Sequence, residues 1–441
     1  MTERQLPASS DPTPSRRDFL GKAAAVAGAG ALLGACAATG QQAPIPKAKK
    51  RTPVGDDEPL RIGVVGPGGM GTGHIDRITH LASQGRENVE IVALCDVCSP
   101  RFERAQQILT ERQGGPADTY ERHEDLVARD DLHGVLVATT EHWHGKIAED
   151  AILAGKDVYC EKPMTLDLDQ ALRLREVSLA NPEAILQVGT QYIAQEKYRK
   201  AKELISQGAI GKATFSQTSY CRNSKGGEWL YYAIDPRWEP GVNLNWERWL
   251  GDRPAAEWDP AVYARWRRYK TYSTGIIGDL LVHVMTPLVM AIDQGWPTRV
   301  TASGGHYVDK VMENHDQVNL TVEFESGHTM IVAGSTCNEI GLETMIRGHE
   351  ATMYLGSKDV VVRPERHWVD EIDEQRISCP SIADQDELRL NWLKCIRTRE
   401  PNWSPVDLGT KVMVIVALAS RSMWEGHAFG FDPATMSAYK I

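Results

Sequence analysis

The sequence predicts an α/β protein with an N-terminal doubly wound Rossmann domain and a C-terminal α+β domain built on an open, mostly antiparallel sheet. Between residues 60 and 188, short β-branched runs alternate with helical patterns, which is typical of βαβ units and a parallel sheet. From residue 213 onward, short extended runs follow one another with few helices between them, which indicates antiparallel pairing. The length of 441 residues allows two such domains and an appendage.

The overall composition narrows the classes of partner. A hydrophobic fraction of 42% is ordinary for a soluble globular protein and argues against wholesale disorder. The formal net charge of −10 argues against the basic face that phosphate contacts require. We therefore expect no nucleic-acid partner.

Residues 1–36 are predicted to be a twin-arginine export signal. Arg16 and Arg17 precede an apolar Ala/Gly/Leu run that is too short and too rich in glycine to span a bilayer. The run ends in a segment similar to a lipoprotein box, in which Cys36 would be acylated; an A-x-A cleavage site at residues 35–37 is the alternative. We expect a periplasmic or lipid-anchored protein, attached to the membrane only through a lipid on Cys36. Residues 37–59 lack apolar periodicity and are predicted to be a flexible linker.

The folded part is predicted to begin with a strand over residues 61–65 that runs into a G-x-G-x-x-G turn. Because a helix over 73–82 and a second strand over 89–94 follow, the turn has the context of a dinucleotide site. Its glycines permit a tight turn, a close approach to the pyrophosphate, and close packing of helix on strand, with the helix N-terminus facing the phosphates. The predicted cofactor-binding residues here are Gly66, Gly68, Gly69, Met70 and Gly71. A glycine-rich turn without a ligand is the alternative.

Asp96 follows the second strand, close to the spacing of about 20 residues expected for the acid that binds the ribose hydroxyls. A carboxylate there would repel a 2′-phosphate, so we predict NAD as the cofactor. Arg101 and Arg104 stand close enough in sequence to keep NADP as the alternative.

The alternation of strands and helices continues to residue 188. Predicted strands cover residues 134–138, 157–160 and 184–188, and predicted helices cover 144–153 and 168–179. Glu161-Lys162-Pro163 follows the strand over 157–160 directly, at the carboxyl end of the sheet, where ligands of such domains bind.

Together with the glycine turn, the Glu161-Lys162-Pro163 triplet resembles the Gfo/Idh/MocA family of dehydrogenases over residues 60 to about 430. The resemblance implies that Lys162 lies beside the nicotinamide and the reacting hydroxyl, and that the Lys162–Pro163 bond is cis. The stretch from Thr139 to His144 resembles the family's segment beside the nicotinamide, although Thr140 and Glu141 replace its usual proline and Asn or Asp. The resemblance thus adds Thr139, His144, Glu161 and Lys162 to the cofactor-binding residues.

Asp279 and His283 are the second match to this family, whose Asp and His stand at this spacing near the substrate. Residues at i and i+4 of a helix share one face, about 5–6 Å apart at Cβ, so the carboxylate could orient the imidazole and raise its pKa for acid-base work. The alternative is a helix-start Asp and a core His. With the triplet upstream, we predict Lys162, Asp279 and His283 as catalytic residues.

The second domain is predicted as residues 189–441, with late helices over 386–397 and 408–424. The resemblance implies that the outer face of its sheet forms a homo-oligomer interface. Six of the twelve tryptophans lie between residues 229 and 272, and their rings either pack this helix-poor segment or, for one or two of them, line a sugar pocket.

The eight cysteines show neither the density nor the spacing of a disulfide framework. Cys95 and Cys98 form a CxxC pair, but no second pair follows at zinc-site spacing, so we predict burial at a strand end and no metal site.

The resemblance implies an NAD(P)-dependent oxidoreductase acting on a hydroxyl of a sugar, sugar derivative or cyclitol. Hydride would pass between a carbinol carbon and the nicotinamide, Lys162 and His283 would handle the hydroxyl proton, and Asp279 would orient His283. Since free dinucleotide is scarce outside the cytoplasm, we expect a tightly held cofactor. The alternatives are a redox-neutral, NAD-dependent glycosidase or lyase acting through a transient keto-sugar, and a non-catalytic dinucleotide or sugar sensor.

Overall fold

Six parallel strands form the first sheet of the computed structural model, which describes residues 44–55 and 57–441. The strands are β1 (Leu60–Val65), β2 (Val89–Cys95), β3 (Asp118–Tyr120), β4 (Gly134–Val137), β5 (Asp157–Glu161) and β6 (Leu186–Gly189). Their order is β3-β2-β1-β4-β5-β6, the arrangement of a doubly wound dinucleotide-binding domain. The strand order reverses between β1 and β4, so the carboxyl ends of these two strands flank the crevice where ligands of such sheets bind.

Helices cover both faces of this sheet. They are α1 (Gly69–Ser83), α2 (Phe102–Gln113), α3 (His123–Val127), α4 (Glu141–Leu153) and α5 (Leu168–Ala180). Two of them begin earlier than the sequence predicts. The first turn of α1 lies inside the glycine-rich turn, and α4 starts at Glu141 rather than at His144.

Ten strands form the second sheet, and their pairing confirms the predicted mostly antiparallel character. The strands are β7 (Ala213–Cys221), β8 (Pro297–Gly305), β9 (Gln317–Phe324), β10 (Thr329–Ser335), β11 (Met345–Gly348), β12 (Ala351–Leu355), β13 (Asp359–Pro364), β14 (Gln375–Ser378), β15 (Phe429–Asp432) and β16 (Ser437–Lys440). Their order is β14-β13-β12-β11-β7-β10-β9-β8-β15-β16, and β7 and β10 run parallel. On β9 buried and more exposed residues alternate, so one face of the sheet carries the core.

The remaining helices are α6 (Glu196–Ser206), α7 (Trp246–Leu250), α8 (Pro260–Ala264), α9 (Val282–Ile292), α10 (Asp384–Thr398) and α11 (Val406–Glu425). Helices α6, α9 and α11 pack on the second sheet. One turn of π-helix, Ile277–Leu281, leads directly into α9. In the part of the chain that the structure describes, no helix is long and apolar enough to cross a membrane.

Helix α10 departs from the predicted domain division at residue 188. Its apolar residues join the core on the Rossmann side, where Trp392 lies against Tyr159 of β5 at 5.7 Å between ring centroids. Gln187 of β6 also forms an antiparallel bridge with Pro405. The assignment of all of residues 189–441 to the second domain is therefore wrong for this helix, which returns to complete the first domain.

The predicted flexible linker over residues 37–59 is wrong for residues 45–55. Lys49 donates its backbone N–H to the Leu153 carbonyl at 2.9 Å. The Arg51 guanidinium pairs with the buried carboxylate of Asp157 at the start of β5. This segment is therefore held to the Rossmann domain. The predicted signal, Cys36 and residues 37–43 lie outside the described residues.

Candidate active site

The glycine-rich turn forms a cradle that side chains would fill. Gly66 has φ 85°, and a Cβ added to it would lie 2.7 Å from the Thr139 backbone nitrogen. A Cβ on Gly71 would lie 2.1 Å from the Gly66 carbonyl oxygen, so α1 packs against β1 only without one. Gly68 and Gly69 have no described atom within 4 Å of the place of a Cβ, and no side chain caps α1. The open turn and the free helix N-terminus fit a dinucleotide pyrophosphate.

Asp96 stands just beyond the carboxyl end of β2, beside this turn. Its Oδ1 accepts the Cys98 backbone N–H at 2.9 Å, and burial raises the pKa of Asp96 to about 6. Arg101 lies in the same cleft with its guanidinium 4.6 Å from the Trp238 ring centroid. Arg104 instead bonds Gln107 on α2, outside the cleft-lining residues. Of the two arginines on which the NADP alternative rests, only Arg101 lines the cleft.

A cleft of about 400 Å³ joins the glycine turn to the Glu-Lys-Pro triplet. The predicted cofactor-binding residues that line it are Gly66, Gly68, Gly69, Met70, Asp96, Thr139, His144, Glu161 and Lys162. Gly71 lies behind the turn, where it allows close packing of α1. The fold therefore brings the predicted residues together, and their roles in binding remain predictions.

Lys162 lies at the carboxyl end of β5, and the peptide bond to Pro163 is cis, as the family resemblance implies. Its ammonium donates to the Asp279 carbonyl at 2.7 Å and to Asp279 Oδ1 at 3.0 Å. Both side chains are less than a tenth exposed. The two domains thus meet in a buried ion pair, and the third N–H of the ammonium has no acceptor among the described residues.

Asp279 is held by a second cation, which sequence reasoning missed. Arg267 Nε donates to Asp279 Oδ1 at 2.8 Å, the same oxygen that Lys162 contacts. Burial alone would raise the pKa of Asp279, but Arg267 and Lys162 hold it well below its usual range. Asp279 is therefore a fixed carboxylate that positions both cations.

The predicted pairing of Asp279 with His283 is wrong in its geometry. Asp279 lies within the π-helical turn, where the i, i+4 spacing of an α-helix does not hold, and its carboxylate serves Lys162 and Arg267 instead. The predicted rise in the pKa of His283 is also wrong. Burial and then the charge of Lys162 lower the pKa of His283 to about 3, so the imidazole is neutral.

His283 has no hydrogen-bond partner among the described residues on either ring nitrogen, and Nδ1 is fully buried. The ring lies 5.6 Å from the Tyr192 ring and 5.8 Å from the Tyr220 ring, measured between centroids. An unpaired polar group in such a place is costly, and Nε2, unlike the fully buried Nδ1, is open to a partner from a molecule bound in the cavity.

A smaller cavity of about 180 Å³ lies beyond Lys162 and contains His283. It shares Met70, Glu161, Lys162, Tyr232 and Arg267 with the larger cleft. Further lining comes from Tyr220, Arg222, Trp229, Tyr231 and Asp279. The two cavities therefore meet at Lys162 and Arg267, a geometry suited to a dinucleotide on one side and a small polar molecule on the other.

Two segments of the chain match profiles of one family. Residues 60–190 match an oxidoreductase family with an NAD-binding Rossmann fold, GFO/IDH/MocA. Residues 248–354 match the GFO/IDH/MocA C-terminal domain. The chain belongs to the GFO/IDH/MocA family. Its first domain is an NAD-binding Rossmann domain.

Relatives of this GFO/IDH/MocA chain include inositol 2-dehydrogenases. That of Gluconacetobacter diazotrophicus is 36% identical over 152 residues, which is 34% of this chain and 43% of the relative. That of Burkholderia vietnamiensis is 34% identical over 169 residues, 38% of this chain and 48% of the relative. The chain thus spans less than half the length of these curated relatives.

Among solved structures, levoglucosan dehydrogenase in complex with NADH and levoglucosan matches with a TM-score of 0.63. The match covers 87% of this chain and 100% of the other at 17% sequence identity. At this identity the likeness shows the shared fold.

Behind the family's Glu-Lys-Pro triplet lies a buried network that sequence reasoning missed. Glu161 accepts from His74 Nε2 at 2.9 Å, and Arg389 of α10 donates to His74 Nδ1 at 2.8 Å. Burial alone would raise the pKa of Glu161, but the bond from His74 and the nearby charges lower it to about 2. Its second oxygen accepts the Lys162 backbone N–H at 3.1 Å. The network therefore holds the backbone of Lys162 in place.

The first turn of α4 fixes the other wall of the cleft. His144 Nδ1 lies 2.7 Å from the Pro163 carbonyl, and its Nε2 lies 3.2 Å from the Thr139 carbonyl. His142 and Trp143 both donate to the Trp249 carbonyl at 2.8 Å. His144, predicted to bind the cofactor, thus also positions the loop that carries Lys162.

Most rings of the tryptophan-rich segment pack against one another, and a few line the cavities. Trp246 and Trp249 stack at 4.7 Å in a small core of their own. Trp249 and Trp266 line the cleft, and Trp229 lines the smaller cavity. Most of these rings therefore pack the segment, and sugar binding by the few that line the cavities stays a prediction.

The cysteine pair flanks Asp96, and Cys95 lines the larger cleft. Cys95 and Cys98 are buried free thiols, and burial raises the pKa of Cys98 to about 11. Across residues 44–55 and 57–441, no three His, Cys, Asp or Glu side chains come together as a candidate metal site.

Proposed function

We propose that the chain is an NAD-dependent dehydrogenase acting on a hydroxyl of a sugar, sugar derivative or cyclitol. The observation that carries the proposal is the junction of the two cavities at Lys162, beside a buried His283 whose ring nitrogens have no partner in the described chain. The names of the inositol 2-dehydrogenase relatives support a polyhydroxylated ring as substrate.

The glycine turn and Asp96 would hold the dinucleotide, which when bound supplies the hydride acceptor. Lys162 directs an N–H toward the hydroxyl oxygen on the carbon that is oxidised and stabilises negative charge developing on that oxygen. His283 is neutral because its pKa is lowered to about 3, and so weak a base can take the hydroxyl proton only as hydride leaves the carbinol carbon. Asp279 positions Lys162 and Arg267 rather than His283.

The decisive experiment uses the purified mature protein. Its bound dinucleotide is released by denaturation and identified, and NAD and NADP are titrated in a thermal melt. Sugars and cyclitols, including myo-inositol, are then screened for formation of NADH. We expect stabilisation by NAD and NADH formation with at least one ring alcohol. A protein free of dinucleotide and indifferent to both nucleotides would refute the proposal.

We further propose that the protein acts outside the cytoplasm and holds its cofactor tightly. The Arg16-Arg17 pair, the apolar run and Cys36 support export and lipid attachment. We expect the protein in the cell-envelope fraction, and we expect Arg16→Lys with Arg17→Lys to retain it in the cytoplasm. Cys36→Ala should release it from the membrane without blocking export. Co-purification of dinucleotide through extensive dialysis would establish tight binding.

We also propose a homo-oligomer formed through the second sheet. Helices pack on one face of that sheet, and Ile331 of β10 is 39% exposed. Light scattering of the purified protein should give a mass that is a multiple of the chain mass. A mass equal to one chain would refute the proposal.

A further inference from the structure

Two arginines line the smaller cavity with donors that nothing in the described chain uses. Arg267 donates through Nε to Asp279, and neither of its Nη atoms has an acceptor among the described residues. Its guanidinium is held in place by the Trp266 ring, 4.1 Å from the ring centroid. It therefore presents a fixed, unpaired edge to the cavity.

Arg222 is held in a similar way just after the end of β7. It donates to Glu228 Oε1 at 3.0 Å and to the Tyr220 hydroxyl at 2.9 Å. A guanidinium has five N–H donors, so three remain, and 37% of the side chain is exposed. Glu228 itself is fully buried and also accepts from Tyr231 at 2.9 Å, so the arginine is anchored at its base.

The ionisable lining of the cavity is left with an excess of positive charge. Three cations, Lys162, Arg222 and Arg267, face two carboxylates, Glu161 and Asp279. His74 and His283 add no positive charge, because burial lowers the pKa of both imidazoles. Glu228, fully buried beneath Arg222, balances the one excess positive charge from outside the lining. What the cavity offers its occupant is therefore the unused N–H donors of two planar guanidinium groups, which match the two oxygens of a carboxylate.

We propose that the substrate is an acidic sugar, whose carboxylate is bound by Arg222 with Arg267 as the second cation. The inference rests on the proposed dehydrogenase function and names its substrate class. A phosphate dianion fits less well, because it would bring a second negative charge into a cavity of about 180 Å³ whose lining has an excess of one positive charge at most. Arg222 is thus a specificity-determining residue.

The test compares sugars that differ only at C6. The purified mature protein is assayed for NADH formation with glucuronate and glucose, galacturonate and galactose, and mannuronate and mannose, and with the corresponding 6-phosphates. We expect at least one uronate to exceed its parent sugar in kcat/KM by about tenfold to a hundredfold, the range of a hydrogen-bonded charge. Neutral sugars that equal or exceed their uronates in every pair would overturn the proposal, as would a preference for the 6-phosphates.

Variants of Arg222 test the residue assignment. Arg222→Gln should bring the ratio of uronate to parent-sugar kcat/KM close to 1, mainly through KM, and Arg222→Lys should restore part of it. Arg104→Gln, an arginine outside the cavities, is the matched control and should keep the wild-type ratio. An unchanged ratio in Arg222→Gln would overturn the assignment. If no sugar gives NADH and no dinucleotide stabilises the protein, the proposed dehydrogenase function is refuted, and the inference about its substrate with it. If neutral sugars are oxidised as well as uronates, only the inference about the acidic substrate is refuted.

Discussion

Lys162 is the residue on which the two cavities and the two domains converge. Its position at the end of β5 could be predicted from the sequence, because a triplet that directly follows a buried parallel strand must lie at the ligand-binding edge of the sheet. Its partners could not be predicted in the same way. Arg267 lies 105 residues further along in a segment without periodicity, and only the fold brings it to Asp279.

Replacing Lys162 by Met should remove turnover and retain dinucleotide binding. The thioether keeps the bulk of the side chain but cannot donate to the reacting oxygen, so we expect kcat to fall by about 10² to 10⁴. Steady-state NADH formation and an NAD titration measure the two effects separately. The matched control is Lys146→Met, an exposed lysine paired with Asp150 on α4, which should keep wild-type rates. An undiminished rate in Lys162→Met would remove this residue from the mechanism.

NAD affinity should weaken as the pH falls through about 6. Burial raises the pKa of Asp96 to about 6, so its carboxylate takes up a proton between pH 7 and pH 5. A neutral carboxyl accepts hydrogen bonds from ribose hydroxyls less strongly than a carboxylate does. Because about a tenth of the group is ionised one unit below its pKa, the Kd measured by calorimetry should rise up to about tenfold by pH 5.

Two variants separate Asp96 from other titrating groups. Asp96→Asn should bind NAD weakly at every pH and show a nearly flat profile. Asp169→Asn, an exposed aspartate of α5, should keep the wild-type profile. A steep profile that survives in Asp96→Asn would assign the pH dependence to another residue.

At the scale of single elements, the sequence predicted what local rules determine. The glycine turn, five of the six strands of the first sheet and the antiparallel character of the second follow from periodicity and turn residues, whereas the sequence does not predict the short strand β3. The π-helical turn at Asp279 does not, because the apolar pattern of α9 does not reveal a turn of wider pitch before it. The spacing of Asp279 and His283 predicts a contact only on an α-helix, and the Asp279 carboxylate binds Lys162 and Arg267 instead.

The junction of β1 and α1 can be tested with two glycines of the same helix. Gly71→Ala would place a Cβ 2.1 Å from the Gly66 carbonyl oxygen. Because that oxygen belongs to the backbone and the Cβ is fixed to α1, the helix must move. We expect a loss of about 1–3 kcal/mol in the free energy of unfolding and NAD binding at least about tenfold weaker. Urea unfolding and an NAD titration measure these changes.

Gly73→Ala is the control, since a Cβ there has no described atom within 4 Å. Replacing a helical glycine by alanine at an open position should stabilise the protein by about 0.5–1 kcal/mol and leave NAD binding intact. Equal NAD affinity in Gly71→Ala and Gly73→Ala would contradict the close packing assigned to the turn.

At the scale of the whole molecule, the two domains are joined by more than the chain that links them. Lys162 and Asp279 pair across them, and α10 returns from the second domain to pack beside β5. The sequence predicts this helix in the second domain because it follows the strands of that domain. An amphipathic pattern predicts that a helix has a buried face, but it does not predict which sheet that face meets.

Trp392 of α10 provides the test of this coupling. The ring is fully buried against Tyr159, so Trp392→Ala should cost about 3–5 kcal/mol in the free energy of unfolding. Since α10 packs on the first domain and leads into α11 on the second sheet, urea unfolding should remain one transition at a lower midpoint when followed by circular dichroism and by fluorescence. Trp392→Phe keeps most of the ring and removes an Nε1–H that has no partner among the described residues, so its cost should stay below about 1.5 kcal/mol. Two separate transitions in Trp392→Ala, with the later one at the wild-type midpoint, would show that the second domain is stable without the first and that α10 does not couple them.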